Sequence, residues 1–355
     1  MKYLEIKRED LIYNISKLKE HCAPARIIAV LKGNAYGLDM VQFGHLLLEN
    51  GIDLFAVSEL QEAIALRQAG FENEIILLTP TNNVDEAKLI ADNKITATVA
   101  SEYQAEILDK IGLPVDAHIK IDTGFGRYGF YADNLTDKFK EFGNITYTGV
   151  FSHFSNSFGK DDKYSRMQFE RFEKAVDKLK QLGIEPPLKH ICNSCGALRY
   201  DFARLDAVRI GSAFLGKLPI ENKLGLRRIA TLKCQVSEIR MLPEGSFVGY
   251  ANTFKTAKDT TAAIIPVGYK DGYGVKVSVD TFRFMDILRY VFADLKSFGK
   301  RIYVTINGKK YPIIGRISMH NIVVDVTGGS VKVGDFTELE CNTMLLKSEI
   351  ERIYI

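Results

Sequence analysis

Lys32 closes an apolar run, IIAVL, and opens the loop KGNAYGLD. A buried-strand pattern that ends on a lysine places an amine at a strand end, where it can attack a carbonyl. Other short apolar runs end on polar groups too. AHIKID carries Lys120 and Asp122 and leads into TGFGRYG with Arg127; ITYTGVFSHF ends near His153. LKHICN is followed by Ser194 after Asn193, and AVRIGSA holds Arg209, Gly211 and Ser212. Taken singly, each has an ordinary reading as a solvated lysine or a structural histidine. Arg209 is harder to dismiss, because a guanidinium inside a strand needs hydrogen-bond partners. Together these ends would aim an amine, two guanidiniums, an imidazole and hydroxyls at one mouth. Ser194 and the backbone of Gly211 and Ser212 suit a bound phosphate. A Schiff-base lysine beside a phosphate site points to pyridoxal 5′-phosphate (PLP).

These groups need a scaffold that brings strand ends together. Over residues 20–215, eight runs rich in Ile, Val and Phe alternate with Ala/Leu/Glu/Lys-rich amphipathic segments. The predicted strands are 26–32, 53–58, 74–79, 96–100, 117–122, 145–154, 188–193 and 207–213. Such βα units give a parallel sheet, either doubly wound or closed; a count of eight favours a (β/α)8 TIM-type barrel. Beyond about residue 222 the helical segments thin out, and INGKKY carries an Asn-Gly hairpin signal. A barrel over 1–222 and a mainly β C-terminal domain over 223–355 are predicted, with residues 1–10 free to pair with the second. An amphipathic helix is expected within 279–300.

Composition narrows the function classes. The 355 residues are 46% hydrophobic and 26% charged with a net charge of +3, and no basic block marks a nucleic-acid partner. No run approaches the roughly 18–20 apolar residues of a membrane span, and the charged start MKYLEIKRED lacks a signal-peptide core. Five scattered cysteines fit a reducing, cytoplasmic setting. CNSC at 192–195 has redox spacing but no second pair or histidine cluster, so incidental thiols are expected and no metal. GFGRYG at 124–129 matches GxGxxG, yet the following strand ITYTGVFSHF ends without the acidic residue that a dinucleotide site needs.

With these residues assembled, the sequence resembles the alanine racemase family. AVLKGNAYGLD is similar to that family's cofactor-lysine signature. IKIDTGFGRYGF, SHFSNS, NSCG, VRIGSAFLG, FVGYANTF, IPVGYKDGYG and IIGRISMHN extend the match in order through both domains. The resemblance implies that Lys32 carries PLP as a Schiff base and that Tyr36 reaches its phosphate. Asn193, Ser194, Gly211 and Ser212 would complete the cofactor site, and Arg209 would face the pyridine nitrogen. Lys32 would serve as base on one face of the substrate. Tyr250 from the second domain of a partner subunit would serve on the other, linked by hydrogen bonds to His153 and Arg209. Arg127 would hold the substrate carboxylate or the ring oxygen. Lys120 matches a lysine that is often carbamylated and braces that arginine. Met319 would offer its backbone N–H to the carboxylate, and Tyr269 and Tyr273 would shape the way in.

The resemblance thus implies a head-to-tail homodimer that interconverts L- and D-alanine, a supplier of cell-wall precursor. Three departures bear on substrate. Leu38 stands where the family usually has His, Ser348 aligns loosely with a tyrosine of some members, and the 279–300 helix is an insertion. A serine or broad-specificity racemase, including one released from a membrane-anchored parent, is therefore the alternative. A PLP decarboxylase, a non-catalytic PLP-binding protein and a barrel without PLP are the more distant readings.

Overall fold

The computed structural model describes residues 1–276 and 282–355. The chain divides into two units, Arg8–Ile229 and the combination of Met1–Lys7 with Ala230–Ile355. The division falls at Ile229 rather than at 222/223 because the chain is still tied to the first unit there. Buried Asn14, on the helix Arg8–Cys22, donates to the carbonyls of Phe214 (2.9 Å) and Arg227 (2.7 Å) and accepts the Arg227 N–H (2.7 Å).

The strand β1 (Lys2–Ile6) belongs to the second unit, where it pairs antiparallel with Ala230–Gln235 and parallel with Glu351–Tyr354. Eight parallel strands form the first unit: β2 (Arg26–Val30), β3 (Leu54–Val57), β4 (Glu74–Leu77), β5 (Ala97–Val99), β6 (Val115–Lys120), β7 (Ile145–Phe151), β8 (Leu188–His190) and β9 (Ala207–Ile210). Their spatial order is β4-β3-β2-β9-β8-β7-β6-β5. The two outer strands meet through a single bridge, Ile76 with Thr96, so the sheet is a nearly closed barrel. Leu77 N–H donates to Thr96 O and Thr96 N–H to Ile75 O, both at 2.9 Å.

Every barrel strand stops one to three residues short of its predicted end, and β7 and β8 do so beside Arg209. The apolar runs extend to 154 and 193, but β7 ends at Phe151 and β8 at His190. The carbonyls beyond those points do not all stay in the ladder: those of Ser152 and Ile191 accept from the Arg209 side chain, at 2.6 and 3.1 Å.

The barrel interior is divided. Ile28, Val30, Leu54, Ala56, Ile76, Leu188 and Ala207 form an apolar cluster. Beside it, strands β6 to β9 bury His118, Lys120, Phe151, His190 and Arg209. Register sets these side by side: His118 opposite Gly149, Lys120 opposite Phe151, and Phe151 opposite His190. Gly149 is required here, because a Cβ would lie 2.5 Å from His118 Nε2.

The second unit is a nine-stranded sheet. Its hairpin Tyr303–Ile306 to Lys309–Ile314 turns through Asn307 and Gly308, both at positive φ, as a primed two-residue turn demands. The helix Phe284–Ser297 interrupts the strands and leaves Phe284, Met285, Phe292 and Leu295 exposed. Residues 279–281, at the start of the expected helical segment, lie outside the described residues.

Candidate active site

Lys32 follows β2 directly, and the five residues after it run in a left-handed turn. Gly33, Asn34, Ala35, Tyr36 and Gly37 all have φ between 52° and 83°. Glycine adopts that backbone freely, but each non-glycine residue there costs roughly 1–2 kcal/mol. Glu62 holds the turn: its carboxylate accepts from the backbone N–H of Gly33 (2.6 Å) and Asn34 (3.2 Å). The same carboxylate accepts from the N–H of Ser58 and Glu59 and so caps the helix Leu60–Gln68. Asn34 Oδ1 accepts the Met40 N–H (2.8 Å), tying down the far end. Leu38 is fully buried, so this position places an apolar side chain in the interior.

Tyr36 reaches over to β9. A Cβ on Gly211 would collide with the Tyr36 hydroxyl, so the glycine leaves room for the ring. Gly211 N–H donates to Ser194 Oγ (3.1 Å). Tyr36, Ser194, Gly211 and Ser212 thus gather at the ends of β8 and β9. Burial pushes the Tyr36 phenol up to about 12, so it stays a hydrogen-bond donor. Asn193 acts on the backbone instead. Its side chain accepts from Gly196 N–H (3.0 Å) and Ser157 Oγ–H (2.7 Å), which fixes the turn that presents Ser194.

Arg209 is 3% exposed and is satisfied by protein on several sides. One terminal nitrogen donates to His190 Nδ1 (2.6 Å) and the His190 carbonyl (3.3 Å). The other donates to the carbonyls of Ser152 and Ile191 and to His153 Nδ1 (3.0 Å). Burial lowers its pKa to about 10, which leaves it a cation at neutral pH. His153 and His190 are held neutral, first by burial and then by the Arg209 charge.

Lys120 is 6% exposed, with its Nζ 4.3 Å from the centre of the Phe151 ring. Burial, then Arg209 and Arg127, push its pKa well below the usual lysine range. Lys32 is more open, yet burial of its amine, then Arg127 and Arg209, lower its pKa, with Glu62 pulling the other way. Both amines therefore gain neutral, nucleophilic character. Arg127 itself stacks on Phe125, 4.5 Å from the ring centre, on an exposed loop. Asp122 builds that loop: its Oδ1 accepts from the N–H of Gly124 (2.9 Å), Phe125 (2.9 Å) and Gly126 (3.2 Å). Three N–H groups at the start of this GxGxxG stretch are thus occupied by a carboxylate of the chain itself, as suits a loop that presents Arg127.

The barrel unit thus brings together Lys32, Tyr36, Lys120, Arg127, His153, Ser194, Arg209, Gly211 and Ser212. Glu62 and His190 are residues that the sequence did not single out. Glu62 left a legible trace, since Glu59 and Glu62 have capping-box spacing. His190 left none.

Tyr250 and Met319 lie in the second unit, on loops that pack backbone against backbone. A Cβ on Gly249 would touch Arg316 N (3.0 Å) and one on Gly315 would meet Val248 O (2.7 Å). Tyr269 N–H donates to Ser318 O and Lys270 N–H to Met319 O, both at 3.1 Å. These loops present Tyr250, 69% exposed, with Tyr269 at 48% and Met319 at 46%. Tyr273 is buried instead and belongs to the core of its unit.

The five cysteines form no disulfide, and burial pushes the Cys192 thiol up to about 12, against a redox role for CNSC. Among the described residues, no helix is long and apolar enough to cross a membrane.

Comparison with known proteins covers nearly the whole chain. The family description "Alanine racemase, N-terminal domain" matches residues 6–219, and "Alanine racemase, C-terminal domain" matches 229–351. An alanine racemase of Clostridium tetani is 30% identical over 363 residues, covering 99% of this chain and 89% of that protein. One of Methanococcus maripaludis is 32% identical over 347 residues, covering 94% and 87%. Among solved structures, the alanine racemase of Clostridium difficile 630 superposes with a TM-score of 0.87 at 26% identity, covering 100% of this chain and 95% of the other. That of E. faecalis gives 0.85 at 25% identity, covering 100% and 98%.

Proposed function

The chain belongs to the alanine racemase family, a family of isomerases, and from that premise we propose that it interconverts L- and D-alanine with PLP by a two-base mechanism. The observation that carries this reading is the convergence in one barrel of Lys32, buried Arg209 and the Tyr36–Gly211 cradle. The residues fit the cofactor: the glycine leaves space where a side chain would collide, and donors from Tyr36, Ser194 and Ser212 suit a phosphate. Bound, PLP supplies the electron sink that makes the α-proton of an amino acid removable.

The chain supplies the rest. Lys32 Nζ would hold the cofactor, and its amine would take or return a proton on one face of the α-carbon. Its lowered pKa places the neutral base nearer working pH. The hydroxyl of Tyr250 of the partner subunit does the same on the opposite face. Arg209 has donors only and does not hand over its proton, so beside the bound cofactor it would leave the ring nitrogen unprotonated. That would weaken the electron sink and restrain side reactions. Arg127 and the backbone N–H of the partner's Met319 hold the carboxylate. Lys120, buried beside two guanidiniums, is set up to add carbon dioxide: as a carbamate it would carry a negative charge that both arginines favour. A site that needs Tyr250 from a second copy requires a homodimer, and five reduced cysteines suit a cytoplasmic enzyme.

The test is to incubate the PLP-loaded protein with L-alanine and with L-serine and to separate the enantiomers by chiral chromatography. Alanine conversion should outrun serine conversion. Serine equal to or faster than alanine would move the assignment to a serine or broad-specificity racemase, and no D-enantiomer from either would remove it. Tyr250→Phe should keep the cofactor colour and slow proton transfer by roughly 10²–10⁴-fold, most for the enantiomer whose proton Tyr250 takes. Equal, small losses in both directions would point to another second base.

A further inference from the structure

We infer that Glu74 and His118 are positioning residues for Arg209: with His190 they form a directional hydrogen-bond relay through the barrel interior that fixes the tautomers facing the arginine. The relay rests on the racemase reading only for its kinetic consequence.

The direction follows from Arg209. A guanidinium has no lone pair to offer, so His190 Nδ1, 2.6 Å from its terminal nitrogen, must accept. Neutral His190 then carries its proton on Nε2, which lies 3.0 Å from His118 Nδ1. His118 must accept there, so its own proton sits on Nε2. That nitrogen is buried and has no well-formed hydrogen bond among the described residues. It lies 3.4 Å from Glu74 Oε1, a long contact, but the carboxylate is the group placed to draw that proton. Glu74 Oε1 is itself steadied by the Thr96 hydroxyl (3.2 Å). On the other side of Arg209 the same logic puts the His153 proton on Nε2.

The charges around this end are unequal. Glu74 and Asp116 face His118, and Arg26 acts on Glu74. Contact with His118 and Thr96 and the Arg26 charge hold Glu74 below the usual carboxylate range, although its burial opposes this. Without the carboxylate, His118 Nε2–H points at nothing that accepts. The pair of rings can then turn its protons over, which sets His190 Nδ1–H against the Arg209 N–H and breaks the 2.6 Å bond.

The experiment uses cofactor-loaded enzyme labelled with ¹⁵N only in its six histidines. In the wild type, His118, His190 and His153 should each show one neutral Nε2–H tautomer. Glu74→Leu should give mixed tautomers at His118 and His190 and lower kcat by about tenfold, the effect of one buried hydrogen bond to a charged group, with KM unchanged. Glu74→Gln, which retains an acceptor, should restore the single tautomers and most of kcat. A proton on Nδ1 of His118 or His190 in the wild type overturns the relay whatever the variants do. Unchanged tautomers in Glu74→Leu, or shifted tautomers with unchanged kcat, overturn it as well. The spectra need no substrate, so an inactive wild type with the single tautomers would sink the racemase reading rather than the relay.

Discussion

Lys32→Ala abolishes the covalent link to PLP, with its visible absorbance, and lowers racemisation in both directions by roughly 10⁴-fold. Both losses would have one source, because the proposed function gives the same amine the cofactor and a proton to move. The fold should survive. Lys32 lies among Arg127 and Arg209, which disfavour its charged form, so its removal relieves repulsion. The turn that follows is held by Glu62 through backbone N–H groups, which the substitution leaves in place. Absorbance, circular dichroism and chiral assay on one preparation check the three parts. Persistence of the covalent absorbance would take Lys32 out of its role, and partial rescue of turnover by added methylamine would support it.

Arg209→Ala should do the opposite and damage the fold itself. The substitution strips donors from His190 Nδ1, His153 Nδ1 and the carbonyls of Ser152 and Ile191. At about 1–3 kcal/mol per orphaned buried group, the loss is a large part of the 5–15 kcal/mol, roughly, that holds a domain together. A second effect is readable in pH. Folding keeps His153 and His190 below their ordinary pKa, so the unfolded chain binds protons that the folded chain refuses. Wild-type stability is therefore fully present above about pH 6.5 and falls as pH drops below it. Arg209 is the second cause of both shifts, after burial, so its removal should make that acid limb shallower. Thermal melts from about pH 5 to 8 measure both effects. A variant that melts with the wild type at neutral pH would show that these bonds contribute little.

What the sequence disclosed depended on whether a residue's role was local. The eight barrel strands were legible because each is a short apolar run between helical segments, and Lys32 and Arg209 stood out as charges against that pattern. The strand ends were less so: beyond β7 and β8, Arg209 takes the carbonyls of Ser152 and Ile191. The left-handed turn was half legible. Gly33 and Gly37 announce a turn, but nothing local says that Asn34, Ala35 and Tyr36 share its handedness, which Glu62 stabilises from another element. His118 and His190 meet only because strands β6, β7 and β8 adjoin, with Gly149 leaving the gap. The boundary near 229 escaped notice because it rests on Asn14, distant in sequence.

The single bridge between β4 and β5 has a consequence for how the barrel breathes. A ring opens most readily where the fewest backbone bonds close it, and local opening is read by hydrogen exchange. The amides of Leu77 and Thr96 should therefore exchange ahead of those in β6 and β7, which are joined over six residue pairs. In the ring order, that seam lies across from the β8–β9 junction, which itself pairs at a single position, His190 with Ala207. Glu74 and Thr96 lie at that seam, so opening there would loosen the carboxylate that faces His118, at the far end of the relay to Arg209. The barrel can flex like a split washer whose gap is wired to its chemistry through side chains rather than through the sheet.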